Sequence, residues 1–198
     1  MKKLITAFAM ISLLGAHQVL AQNGRISKQE RSFLLDYLEV TKANIINTLN
    51  ELDESQWTYK PAGGGWSIQE CAEHILLAEE AVFGQVQQAL TTEANNEMST
   101  KNKDAWLISK ISDRSTKVKT PLEPQRELRS KSDAIEALTA SRAALEKYLM
   151  NDKLELRNHF GKSPYGPADA YQLFLVIAAH SMRHHSQMME VLADQQAH

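Results

Sequence analysis

Residues 179–188 read Ala179-His180-Ser181-Met182-Arg183-His184-His185-Ser186-Gln187-Met188, a stretch that holds three of the chain's seven histidines. Around it, Leu173, Ile177, His180, His184, Gln187 and Val191 follow three- and four-residue steps, so they share one face of a helix. Two imidazoles therefore stand where core side chains are due. His185 lies about 100° further round the helix and is expected to be exposed.

The rest of the chain supplies a partner for that face. Ser67-Ile68-Gln69-Glu70 has the form of a capping box and opens a helix whose inward stripe is Cys71, His74, Ile75, Ala78, Val82 and Gln85. His74 thus falls on an apolar face as well. A lone buried histidine is ordinarily satisfied by a hydrogen bond. Three in inward register are harder to satisfy, because each neutral ring keeps a donor and an acceptor that burial makes costly to leave unpaired. A divalent ion answers three acceptors at once, and imidazole suits zinc, nickel, copper or iron. The expectation is one divalent metal ion, zinc or nickel foremost, held by His74, His180 and His184 with positions left open for water or substrate.

Two further helices complete the pattern. A capping box at Ser27-Lys28-Gln29-Glu30 precedes a stripe from Phe33 to Leu52, and a third helix begins near Ser130 or Ser132 and presents Ile135, Leu138, Leu145, Tyr148 and Leu149. Asp53 to Trp66, with Pro61 and three consecutive glycines, reads as a connection. Residues 96–129 form a long connection with one short helical candidate, Asp104 to Ile111. Asn151 to Gly166 is the last connection, and Pro167 suits the first position of the fourth helix, which runs to about Leu192. No strand alternation or internal repeat is evident.

The fold expected is all-α, a four-helix bundle. At about 1.5 Å per residue, His74 lies about 10 Å into the second helix, whereas His180 and His184 lie about 15 Å from the end of the fourth. These depths match only if the second and fourth helices are antiparallel. That requires an up-down-down-up order with a long crossover between helices two and three, where the longest connection falls.

Composition narrows the function. The N-terminus, MKKLITAFAMISLLGAHQVLAQ, has two lysines, an apolar run and small residues before Gln22, the form of a secretory signal peptide over residues 1–21. Residues 22–198 then form one domain, exported to the periplasm or secreted, with no membrane anchor. The net charge is -2, and losing Lys2 and Lys3 with the leader makes the remainder more acidic, so no basic face for nucleic acid is expected. The single cysteine, Cys71, excludes an intramolecular disulfide. Zincin, c-type haem and paired Glu-x-x-His motifs are missing, which leaves a mononuclear site.

Trp57, Lys60-Pro61, Gly65-Trp66-Ser67, Glu70 and His74, followed by His159-Phe160-Gly161, His180, Arg183-His184 and Gln187, together resemble the DinB-like superfamily. The likeness is to its branch of YfiT-type metal-dependent hydrolases and bacillithiol transferases. The resemblance implies an up-down-down-up bundle, His74, His180 and His184 as metal ligands, and a metal-dependent hydrolase or transferase acting on a small molecule of unknown identity. A non-catalytic module holding metal or a small ligand is the alternative. Export separates this chain from relatives that use cytoplasmic thiols, and a homodimer stays open.

Other residues carry two readings each. Glu70 is a candidate catalytic base one turn before His74, although its capping-box position explains it without chemistry. Cys71 could be a fourth ligand or a small core residue, and His159 could reach the mouth of the site from its loop. Gln187 shares the histidine face and could hydrogen-bond a ligand's second nitrogen or a substrate. Trp57 and Trp66 are expected to staple the bundle end.

Overall fold

The computed structural model describes residues 24–125 and 127–197, so the signal-peptide expectation for residues 1–21 lies outside the described residues. Four long helices dominate: α1 Lys28–Glu51, α3 Ile68–Ala89, α5 Lys131–Leu149 and α6 Ala170–Ala197, with short helices α2 Glu54–Thr58 and α4 Asp104–Ser112 between them. A two-stranded antiparallel hairpin, β1 Phe160–Ser163 and β2 Gly166–Asp169, precedes α6. None of the described helices is long and apolar enough to cross a membrane.

Local chemistry sets the starts. Ser27, Asp53, Ser67 and Ser130 each cap a helix whose third residue reaches back to the cap's amide, which satisfies two orphan donors per helix. Two expectations need correction here. The connection from Asp53 contains α2, which the capping box Asp53-Glu54-Ser55-Gln56 opens. Pro167 lies in β2 opposite Lys162 and does not open the fourth helix. Gly166 adopts φ 107, a conformation that turns the chain after Pro164-Tyr165, and proline is tolerated because a two-stranded ribbon has only edges. Helix α6 starts instead behind Asp169, whose Oδ1 accepts from the Gln172 amide at 2.8 Å while the Asp169 amide donates to Gln172 Oε1 at 3.3 Å.

Contacts between helix ends give their directions. Tyr171 donates to the Glu30 carbonyl where α1 and α6 begin, and Thr48 meets His185 further along both, so the two run in one sense. Lys131 donates to the Leu52 carbonyl, and Arg142 meets Leu38 and Thr41, so α5 runs against α1. Trp66 stacks on His184, whereas Gly161, beside the start of α6, approaches Gln85 and Ala89. Helix α3 is therefore antiparallel to α6.

The apolar core is in two parts. Leu34, Leu38, Val86, Leu145 and Phe174 fill one end, and Ile45, Leu49, Ile68, Leu138 and Met188 fill the other. Between them lies a polar layer. Arg142 and Glu79, 0% and 1% exposed, form an ion pair at 3.0 Å, and Arg142 also donates to Ser181 Oγ at 2.6 Å and to Thr41 Oγ1 at 3.4 Å. Ser141 donates to Glu79 at 2.7 Å.

The long crossover is strapped to the bundle rather than hanging free. The buried carboxylate of Glu73 accepts from the amides of Gln125 and Glu127, Gln69 donates to the Leu128 carbonyl, and Arg183 donates to the Thr116 carbonyl. These bonds hold residues 116–125, 127 and 128 across the face where α3 meets α6.

Candidate metal centre

Antiparallel packing of α3 on α6 brings His74, His180 and His184 together, with one ligand-capable atom from each lying within 4.8 Å of the others. The Nε2 atom of His180 is 3.3 Å from that of His74 and 3.1 Å from that of His184. His74 and His184 are buried, while His180 keeps partial exposure toward a cavity.

Hydrogen bonding fixes two of the three rings. His74 Nδ1 lies 2.8 Å from the Leu122 carbonyl, which can only accept, so Nδ1 carries the proton and Nε2 carries the lone pair. His184 Nδ1 lies 3.0 Å from Gln187 Oε1, an atom that also accepts from Arg114 Nη1 at 3.3 Å. Arginine is always a donor, so this atom is the oxygen and His184 Nδ1 is protonated. Two lone pairs thus face His180 Nε2, which can offer at most one proton.

That donor set fits a cation. A single proton answers one lone pair at a time, whereas a metal ion accepts all three nitrogens. Two nitrogens held at about 2.0–2.1 Å by one tetrahedral ion are about 3.3 Å apart. The observed spacings of 3.1 and 3.3 Å are close to that separation. Bonds from the second ring nitrogen to a carbonyl or amide oxygen are the usual orienting partners of ligand histidines.

Electrostatics keep the rings neutral. Burial pushes His180 down to about 3, with repulsion from His74 adding to it, and pushes His184 down to about 2, aided by His180 and His74. Burial also lowers His74. The unfolded chain therefore binds more protons than the folded one below the ordinary histidine value of 6.5, and stability rises with pH across that window. The stability is fully present above about 6.5 and is lost as pH falls. Thermal unfolding of metal-free protein between pH 7.5 and 5 should show the midpoint declining toward acid; a midpoint that rises toward acid would contradict neutral rings.

Glu70 Oε2 accepts from the Ser67 amide at 2.8 Å and pairs with Lys60 Nζ, so these contacts sit at the start of α3. Cys71 is buried in the core beside Ile68 and Ile75, where burial pushes its thiol up to about 12, a core cysteine rather than a thiolate ligand. His159 is partly buried, and its carbonyl accepts from the Ala170 amide at the base of the hairpin.

His185 corrects its expectation: it is partly buried and Nε2 meets Thr48 Oγ1 at 3.0 Å, because α1 packs on that side of α6. Trp66 packs against the bundle-end core as expected and also reaches the histidines. Its ring lies 4.6 Å from that of His74 and 5.7 Å from that of His184, forming an aromatic wall on the cluster, and Trp57 is buried in the bundle end as expected. The glycines before Trp66 concealed this, because they set where the loop returns and carry no periodic signal.

A cavity of about 390 Å³ opens beside His74 and His180, lined mainly by apolar side chains of α3, α4 and α6, with Leu122 of the strap and Lys162 of the hairpin. Its size lies in the range of small-molecule sites.

The DinB superfamily profile matches residues 37–188. Among solved structures, the chain is similar to YfiT from Bacillus subtilis, described as a probable metal-dependent hydrolase with an unusual four-helix bundle topology. The TM-score is 0.61 at 15% identity, covering 86% of this chain and 90% of that one. No curated protein sequence matches significantly.

Proposed function

The chain belongs to the DinB superfamily, and on that footing we propose that it is a metal-dependent hydrolase that holds one divalent ion, zinc or nickel, on His74, His180 and His184. The observation that carries the reading is the convergence of three Nε2 atoms, two of them fixed as acceptors, at the end of a small-molecule cavity. A divalent ion bound there would supply Lewis acidity toward a substrate oxygen or water.

The protein's own groups supply position. The Leu122 carbonyl and Gln187 hold the rings of His74 and His184 in the tautomer that presents Nε2. Trp66 covers two of the rings on one side, which limits water there and leaves the cavity as the approach for substrate. Glu70 serves the cap of α3, and its ion pair with Lys60 ties the preceding loop to that helix.

The test is turnover of a panel of esters and amides by protein stripped of metal and reloaded with zinc or nickel. Activity should be abolished by chelator and restored by the ion, and Glu70→Gln should lower stability by about 1 kcal/mol while retaining most turnover per folded molecule. Metal-replete protein with no chelator-sensitive turnover would favour the binding-module reading.

Export to the periplasm or medium belongs to the same proposal, supported by the leader-like residues 1–21. Mass spectrometry of protein recovered outside the cytoplasm should find Gln22 at the N-terminus; an intact Met1 would overturn it.

A further inference from the structure

The cavity is a slot with two unlike ends. His74 and His180 mark one end, and Gln85, Leu173 and Lys162 mark the other. At about 1.5 Å per residue, His74 and Gln85 are separated by about 16 Å of α3, and His180 and Leu173 by about 10 Å of α6. The hairpin closes the far end, since Gly161 sits against Leu173 and Gln85.

The walls between the ends are mainly apolar, with Thr120 of the strap the exception besides Glu79. Ala78, Ala81, Val82, Val176 and Ile177 line the slot, whose volume is about 390 Å³. Glu79 also borders it, but its carboxylate is engaged by Arg142 and Ser141. Lys162 is exposed on β1, and among the described residues it takes part in no described ion pair. Water in such a slot gains few hydrogen bonds, so an apolar chain displaces it favourably.

We infer that the substrate is an elongated molecule with an apolar chain of roughly six to eight carbons, matched to the shorter, α6 wall of about 10 Å between His180 and Leu173, and an anionic group at the end remote from the reacting bond, received by Lys162. The placement of the reacting end rests on the proposed metal site; the slot and its cationic end do not. Carboxylate, phosphate and sulfonate share the required chemistry.

The experiment measures binding of butane-, hexane- and octane-1-sulfonate to the metal-free full chain by calorimetry, because sulfonate is a permanent anion and a poor metal ligand. Affinity should rise about fourfold per added methylene. It should fall at least about fivefold in Lys162→Met, as loss of a charge-assisted contact predicts, and fall further in Ala81→Trp, which fills a partly exposed wall position. Thermal unfolding checks that both variants are folded, and Ala81→Phe replaces Ala81→Trp if the larger ring prevents folding.

Affinity independent of chain length, or unchanged by the wall substitution, would overturn the slot. Length-dependent binding indifferent to Lys162→Met would overturn the anionic end. Length-dependent, Lys162-dependent binding in a protein that takes up no metal would support this inference while refuting the proposed hydrolase.

Discussion

Replacing His74, His180 or His184 by alanine is expected to remove essentially all bound metal from protein purified without a histidine tag, whereas His185→Ala should keep about one equivalent. The contrast follows from where the rings point. The first three direct Nε2 atoms at one another, and His185 directs its Nε2 at Thr48 across the α1 interface. Loss of a partner that merely orients a ligand costs about 10- to 100-fold in metal affinity, and loss of a ligand should cost more. Gln187→Leu provides the graded comparison. It leaves three nitrogens in place but removes the acceptor of His184 Nδ1, so it should weaken binding by about 10- to 100-fold without abolishing it. Plasma emission analysis after dialysis gives stoichiometry, and competition with a chromophoric chelator gives affinity. Full retention in all three inward variants would refute the site. Equal loss in His185→Ala would show that the helix, not the ligand set, had been damaged.

How much of this was legible in the sequence depends on which signal each residue carries. The inward register of His74, His180 and His184 was readable because helix geometry converts spacing into direction, and the depth argument asked for α3 antiparallel to α6, the direction that Trp66 against His184 and Gly161 against Ala89 indicate. The long connection and its short helix were readable from prolines and from the apolar pattern at 104–111. The hairpin was not, because strands of four residues are too short for alternation to register, and Pro167 satisfied a helix-start rule equally well. The strap was invisible for a different reason. Leu122 holds His74 through its carbonyl, and the amides of Gln125 and Glu127 meet Glu73, so backbone atoms common to every residue do the holding. The second contact of Trp66, with the rings of His74 and His184, was not legible because a loop residue has no periodicity to give it a direction. Glu79 and Arg142 did carry a signal: Arg142 falls between Leu138 and Leu145 on the inward stripe of α5, and a charged residue in that register asks for a buried partner.

That buried pair should dominate the response of the fold to mutation. Arg142→Ala is expected to destabilise the protein by about 3–5 kcal/mol, because it leaves the Glu79 carboxylate uncompensated in a water-poor core. Burial already pushes the Glu79 carboxyl up against the opposing pull of Arg142, and removal of the guanidinium takes that pull away. Domains of this kind are stable by about 5–15 kcal/mol, so the loss would be a large share of the total. Denaturant unfolding measures it as a shift in midpoint at constant slope. The informative comparison is the double variant Arg142→Met with Glu79→Leu, which removes both charges and fills the layer with apolar volume. It should recover most of the loss, since apolar replacement of a buried ion pair is often neutral or stabilising. A single variant that loses under about 1 kcal/mol would mean that water reaches the pair and screens it. A double variant no better than the single would point to packing of the long arginine stem rather than charge. Metal content of the double variant then separates fold from site. Arg142 donates to Ser181, the residue after His180, so a stable double variant that binds metal normally would make the polar layer a device of the fold alone. A stable double variant with weakened metal affinity would make the layer part of what holds His180 in place.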